Sequence, residues 1–264
     1  MGDPMPNLRR DKTIEGLKLI RLFSYKLTND GGFAPNPFWG TLTLATCKPQ
    51  IRLSKRIGDW IAGFTSRTLN GDATGEERLI YLAQVTDKMT IANYFRAPRF
   101  EVKKPDPSSA NECRRHGDNI YEPLIPLASE PRDFRQLYNQ SHWDGEERAS
   151  GNCRPGPSRK RDVSGRFVLI CETFAYFGAQ ALVIPRRLRP EVPKGQSAHG
   201  SQTKDEARAR AFIEFVLDQA GGKKMVCHPW TWPTADDCWK RNRQASTAGI
   251  SSVTPAARNP KRKC

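Results

Sequence analysis

Acidic residues are scarce beside basic ones: 28 Asp and Glu face 43 Lys and Arg, a formal charge of +15. That imbalance raises the prior for polyanion partners, because Lys and Arg replace condensed counterions on phosphate. Long apolar runs are missing too. No stretch approaches the roughly 18 apolar residues of a membrane helix, so no membrane partner is expected. The opening MGDPMPNLRRDK has no apolar h-region, so no secretory signal is expected and the location read is cytoplasmic. Paired cysteines are absent: Cys47, Cys113, Cys153, Cys171, Cys227, Cys238 and Cys264 form no CxxC motif, which argues against a zinc ribbon or a disulfide framework. Cys227, His228 and Cys238 would need a fourth ligand from elsewhere, and the expectation is no metal and no cofactor. GxGxxG and GxxxxGK are absent as well, which removes the usual phosphate-cradling loops.

The charge is unevenly spread. Residues 240–264 hold seven Lys or Arg and no acid, leaving about +8 on the rest. A disordered tail is expected there, serving either a polyanion or solubility alone. The apolar fraction is only 37%, and 20 Gly with 20 Pro mark much loop. Three units are expected: a disordered 1–15, a folded 16–222, and a 223–264 extension carrying Trp230, Trp232 and Trp239.

Short strands are predicted over 17–27, 42–45, 57–64, 78–86 and 167–171, with 78–86 central because it is apolar on both faces. A short helix is predicted over 87–95, capped by Thr90, and a long one over 204–220, capped by Thr203 with Glu206 completing a capping box. Residues 140–165 read as a long basic loop or insertion. There is no regular strand–helix alternation. The fold class is therefore α+β: a small bent mixed or antiparallel sheet, or a barrel, flanked by helices.

One stretch draws attention as a site. RRHGDNIY, residues 114–121, packs His116, Asp118, Asn119 and Tyr121 around Gly117, with too few apolar residues for a strand core and too much Gly and Asn for a helix. A loop presenting polar groups in several directions can bind a ligand; a solvated turn is the plainer reading.

The segments FAPNPFWG, LTLATCKPQIR, IGDWIAGFTS, LIYLAQVT, HGDNIY and FAYFG…ALVIP, in that order, resemble the nucleotide modification associated domain family, second type, over about residues 18–220. The resemblance implies an association with nucleotide or DNA-base modification. The GDW turn and the strands after it are more loosely similar to PUA-like barrels, which implies a barrel holding a modified base at its edge.

Three functions follow as expectations. The first is a binding module, its pocket lined by the 33–38 and 116–121 loops, for a modified base or nucleotide, with nucleic acid, DNA before RNA, as partner. Phe33, Phe38, Trp60, Tyr121 and Tyr176 offer aromatic faces, Asn36, Asp118 and Asn119 offer edge-reading groups, and Cys47, Lys48, Lys194 and His199 complete the ligand set. Arg186, Arg187 and Arg189 would meet phosphate. The second is an enzyme with His116 and Asp118 as acid–base pair, or with Cys47 beside Lys48 as nucleophile; an iron triad completed by His199 is formally open. The third is an accessory protein docking through Trp230, Trp232 and Trp239. For most of these aromatics the competing reading is core packing, and for the Arg cluster a solvated face.

Overall fold

A computed structural model describes residues 19–144, 155–195 and 197–232. The expected disordered start, the basic tail, Cys153, Cys238, Cys264 and Trp239 lie outside them, as does much of the basic insertion.

In chain order the described residues form β1 (Leu22–Lys26), β2 (Leu42–Leu44), α1 (Pro49–Ser54), β3 (Trp60–Phe64), α2 (Arg67–Asn70), β4 (Leu79–Gln84), β5 (Asp87–Thr90), α3 (Ile91–Arg96), α4 (Glu112–Arg115), β6 (Tyr121–Pro123), β7 (Phe134–Gln136), α5 (Pro157–Ser164), β8 (Phe167–Cys171), β9 (Thr173–Tyr176), β10 (Ser201–Thr203) and α6 (Glu206–Ala220). The larger sheet is ordered β10-β1-β3-β4-β9; β2-β8-β5 form a second and β6-β7 a third. Only β1 and β3 run parallel, Leu22 opposite Trp60, and the other pairs are antiparallel. The α+β expectation holds. The barrel does not: the larger sheet ends on β10 at one side and β9 at the other, so it stays open.

The reason lies in a bend. Gln84 pairs with Thr173 in the larger sheet, and Asp87 pairs with Ile170 in the second. Between them Thr86 donates its N–H to Ile170 O (2.8 Å), and its hydroxyl accepts from Glu172 N (3.0 Å). One antiparallel pair thus leaves the first sheet and enters the second. The larger sheet is then covered on both faces. Ala209, Phe212, Ile213 and Val216 of α6 pack on Leu22, Trp60, Phe64 and Leu82. Leu42, Leu44, Ile51 and Leu169 cover Tyr25, Ile61, Tyr81 and Phe174 from the other side. This is why 78–86 reads as apolar on both faces.

Two expected elements change. Residues 87–90 are strand β5, and only from Ile91 does the chain turn helical, with Thr90 Oγ1 accepting from Asn93 N (3.2 Å). Helix α6 is capped by Asp205, whose Oδ1 accepts from Arg208 N (3.0 Å), while Thr203 ends strand β10 beside β1. The 140–165 loop contains helix α5, opened by Pro157 at its first turn. No helix among the described residues is long and apolar enough to cross a membrane.

Candidate functional site

The FAPNPFWG segment folds back on β2. Asn36 and Thr43 exchange backbone hydrogen bonds of 3.0 and 2.9 Å, and Asn36 Nδ2 donates to His116 O (3.0 Å). This contact places the 33–38 and 116–121 loops side by side, but the cleft described below takes Phe33 and Ala34 from the first and no residue from the second. Their polar groups point inward. Asp118 is buried and accepts from Thr43 Oγ1 (2.6 Å) and Tyr94 OH (2.8 Å). The buried Lys103 ammonium lies within 3.1 Å of Asn36 O, Asn36 Oδ1, Thr41 O and Thr43 Oγ1. Burial pulls Lys103 down to about 8 and pushes Asp118 up, with the Lys103 charge opposing that rise. Gly117 has no side chain because a Cβ there would run into the Lys103 carbonyl.

His116 turns the other way. Its Nδ1 faces Glu112 O (3.1 Å), its Nε2 faces Gln140 Nε2 (3.3 Å), and its ring packs on Trp232 at 5.2 Å. Burial, then the neighbouring Arg115 charge, lowers it to about 4. His116 and Asp118 are thus engaged by different partners. Asn119 Nδ2 donates to Phe100 O (3.1 Å). Phe38 stacks on Trp232 at 5.3 Å, Trp60 lies in the core under α6, and Tyr176 OH donates to Asp30 Oδ1 (2.6 Å). Trp232 is buried and Trp230 is half-buried, its backbone N–H donated to Asp30 Oδ2 (3.1 Å); the burial of the two rings leaves little tryptophan surface there for docking. Arg186 and Arg187 are exposed, whereas Arg189 is committed to an ion pair with buried Glu77.

A second polar centre opens onto a cleft of ≈ 630 Å³. Its walls come from the chain before β2 (Leu27, Asn29, Gly31, Phe33 and Ala34 among them), from Cys47 to Gln50, from Ser141 and His142, from Arg161, and from Ser197 and Ala198. The cleft therefore brings together Phe33, Cys47, Lys48 and the 194–200 loop, four of the sequence-derived features, whereas Lys194 and His199 themselves are exposed on that loop.

The chemistry of this centre starts with strain. Where β2 passes into α1, Cys47 and Lys48 both take positive φ, 52° and 40°. Two adjacent non-glycine residues in that region cost about 1–2 kcal/mol each, and such strain persists only where the surroundings impose it. Here they do. Asp162 Oδ1 accepts the Cys47 N–H (2.7 Å), and Arg52 Nε donates to the Cys47 carbonyl (2.8 Å). Arg52 is fully buried; it also donates to Phe167 O (2.8 Å) and to Asp162 O. Its guanidinium fills the space above Gly165 that a Cβ would need.

Asp162, on α5, is the hub. Its Oδ2 accepts from Tyr121 OH (2.8 Å) and pairs with His142 Nε2 (2.7 Å). Burial raises the carboxyl, but the His142 hydrogen bond and charge, Arg52 and Tyr121 outweigh it and hold Asp162 below the usual carboxylate range. Tyr121 is raised by burial and by the Asp162 charge, so it stays a donor. The His142 ring is stacked on Phe33 at 5.1 Å. A carboxylate on one side and an aromatic plane on the other fix the imidazole. The Cys47 thiol, a ring nitrogen of His142 and a carboxylate oxygen of Asp162 lie within 4.8 Å of one another.

Three such donors can share a metal ion. However, both Asp162 oxygens already accept hydrogen bonds, and Arg52, Lys48 and Arg161 stand close enough to act on the Cys47 thiol electrostatically. Three positive charges around a hydrogen-bonded carboxylate suit an anionic ligand better than a divalent cation.

His142, Asp162, Arg52 and Arg161 were not among the expected site residues. His142 and Asp162 are 20 positions apart across a stretch that reads as insertion, and the legible signal was Gly156-Pro157 as a helix start. A family model described as Nucleotide modification associated domain 2 matches residues 19–236 of the chain. No curated protein and no solved structure matches it.

Proposed function

The chain belongs to the nucleotide modification associated domain 2 family, and from that premise we propose that the cleft beside Cys47 takes up a nucleotide or a modified base. The observation that carries the reading is the cleft's composition. It pairs an apolar lining from Leu27, Phe33, Ala34 and Pro49 with the cations Lys48 and Arg161. A base needs apolar contact and its phosphate needs positive charge, and a volume of this size is that of a small-ligand site. Burial lowers the Lys48 pKa, and a phosphate beside it would oppose that shift. The 116–121 loop supports the cleft from behind, through Tyr121 on Asp162.

The test is a calorimetric titration with nucleoside 5′-monophosphates, the matching nucleosides, and short duplexes, at two salt concentrations. The expected result is saturable binding of the monophosphates, about tenfold weaker for the nucleosides, roughly 1.4 kcal/mol for the phosphate contacts. If duplexes alone bind, weakly and with a steep salt slope, the contact is only the basic surface and the cleft reading fails.

A further inference from the structure

We propose that Cys47 is a nucleophile in this cleft, that His142 accepts its proton and that Asp162 orients His142, for attack on a carbonyl-type carbon carried by the bound nucleotide. This rests on the nucleotide reading above and adds a reaction to it.

Four independent observations support it. The thiol, the imidazole and the carboxylate lie within 4.8 Å of one another, and Cys47 and His142 both line the cleft. The Asp162 contact is made by His142 Nε2, which leaves Nδ1 as the ring's proton acceptor in the tautomer that donates to Asp162. Cys47 sits on a strained turn whose amide and carbonyl are both held, which fixes where its side chain emerges. Finally, Cys113, Cys171 and Cys227 are buried, so among the described residues Cys47 is the half-exposed thiol.

Burial and the Asp162 charge keep this thiol protonated at neutral pH. It is therefore not a preformed thiolate and needs a base in the same step. The proton passes to the His142 imidazole as the Cys47 sulfur bonds the carbonyl carbon, and the C=O π pair moves to oxygen. Lys48 and the side chains of Asn29 and Gln50 line the same cleft and can meet the developing negative charge. As that pair returns, the bond from carbon to the leaving oxygen or nitrogen breaks, and the imidazolium proton goes to the leaving group. Water repeats the sequence on the thioester, releasing a carboxylic acid and restoring the thiol. Water is the co-reactant, and no oxidant is required. The substrate class is a nucleotide or base bearing an ester or amide group.

The full chain is mixed with 4-nitrophenyl acetate, and nitrophenolate release is followed alongside peptide mass spectrometry. The expected result is a burst approaching one equivalent and an acetyl group on Cys47. Cys47→Ser should abolish the burst. His142→Ala should slow acetylation of Cys47 by about 100-fold and abolish the solvent deuterium isotope effect that proton transfer to His142 gives the parent, which a purely structural role would not do. His142→Gln serves as a second variant if the first fails to fold, as judged by circular dichroism. Acetylation spread over lysines, or Cys47 acylated at the parent rate without His142, overturns the proposal. Nucleoside monophosphates that bind by calorimetry without any burst overturn this inference and leave the binding reading standing. A burst that saturating monophosphate does not slow, with no binding seen, overturns the binding reading instead.

Discussion

The two polar centres of this protein differ in what their side chains face. Around Asp118, every group is answered from within: Thr43, Tyr94, Lys103 and Asn36 close a buried network. Around Asp162, the network is closed on the core side by Arg52 and Tyr121 but ends at Cys47 and His142, which line the cleft. The first centre takes Asp118 from the polar 116–121 loop, its partners from Asn36, Thr43, Tyr94 and Lys103, and is sealed in space. The second is scattered over 115 positions, from Cys47 to Asp162, and open. Polar residues close together in a loop do not make a site unless something leaves them access to a ligand.

The largest effect should come from removing the hub the open centre is built on. Asp162→Ala should lower the unfolding free energy by about 3–5 kcal/mol, because it leaves the Cys47 amide and the Tyr121 hydroxyl without their acceptor and removes the negative charge that acts on buried Arg52; urea denaturation measures this. A loss under about 1 kcal/mol would mean that Asp162 is not a structural hub at all. Asp118→Ala should cost about 3 kcal/mol, since it strands two hydroxyl donors and the Lys103 charge. Nucleotide affinity of the folded fraction should change less than about twofold. A tenfold loss of affinity there would return the sealed centre to candidacy as the site.

Arg161→Ala should act in the opposite sense. Its side chain is half exposed, so stability should hardly change, while monophosphate affinity falls by about tenfold, near 1.4 kcal/mol. Equal binding by the variant would remove the phosphate from that wall.

The smallest effect is a pH dependence set by two groups that hold the 223–232 segment. Asp30, raised by burial to about 6, binds its proton more tightly folded than unfolded. Its contribution is full below its ordinary value near 4 and is lost as pH rises through 6. His116, lowered to about 4, resists protonation when folded, so its contribution is present above its ordinary value near 6.5 and is lost as pH falls through 4. The two oppose each other between about pH 4 and 6. Asp30→Asn should unmask the rise of stability with pH in that window, seen as a steeper slope of thermal midpoint against pH; an unchanged slope would mean that Asp30 does not titrate there.

Much of the scaffold was legible. Alternation and turn residues located β1, β2, β3, β4 and β8, and the apolar stripe of α6 was read with its end at Gly221. What failed had physical causes. Asp87–Thr90 is a polar, half-exposed strand whose pairing with β8 gives no apolar signature. Thr203 and Asp205 both suit a helix cap, and the strand contact of Thr203 with Leu22 decided between them. At the site, Phe33, Cys47 and Lys48 were found, while His142 and Asp162 were hidden in the 140–165 stretch, whose charge resembles that of a loop.

By itself the sequence determined the α+β class, the central strand, the long helix and the resemblance that the family match bears out. Those depend on period, turn chemistry and ordered motifs, which are local properties of the chain. Only the tertiary structure decided that the sheets stay open, that His116 and Asp118 face different partners, and that Cys47, His142 and Asp162 meet. A local pattern states which groups a segment carries; which of them reach solvent, and which find one another across 95 or 115 positions, depends on how the packed elements fill the space between them.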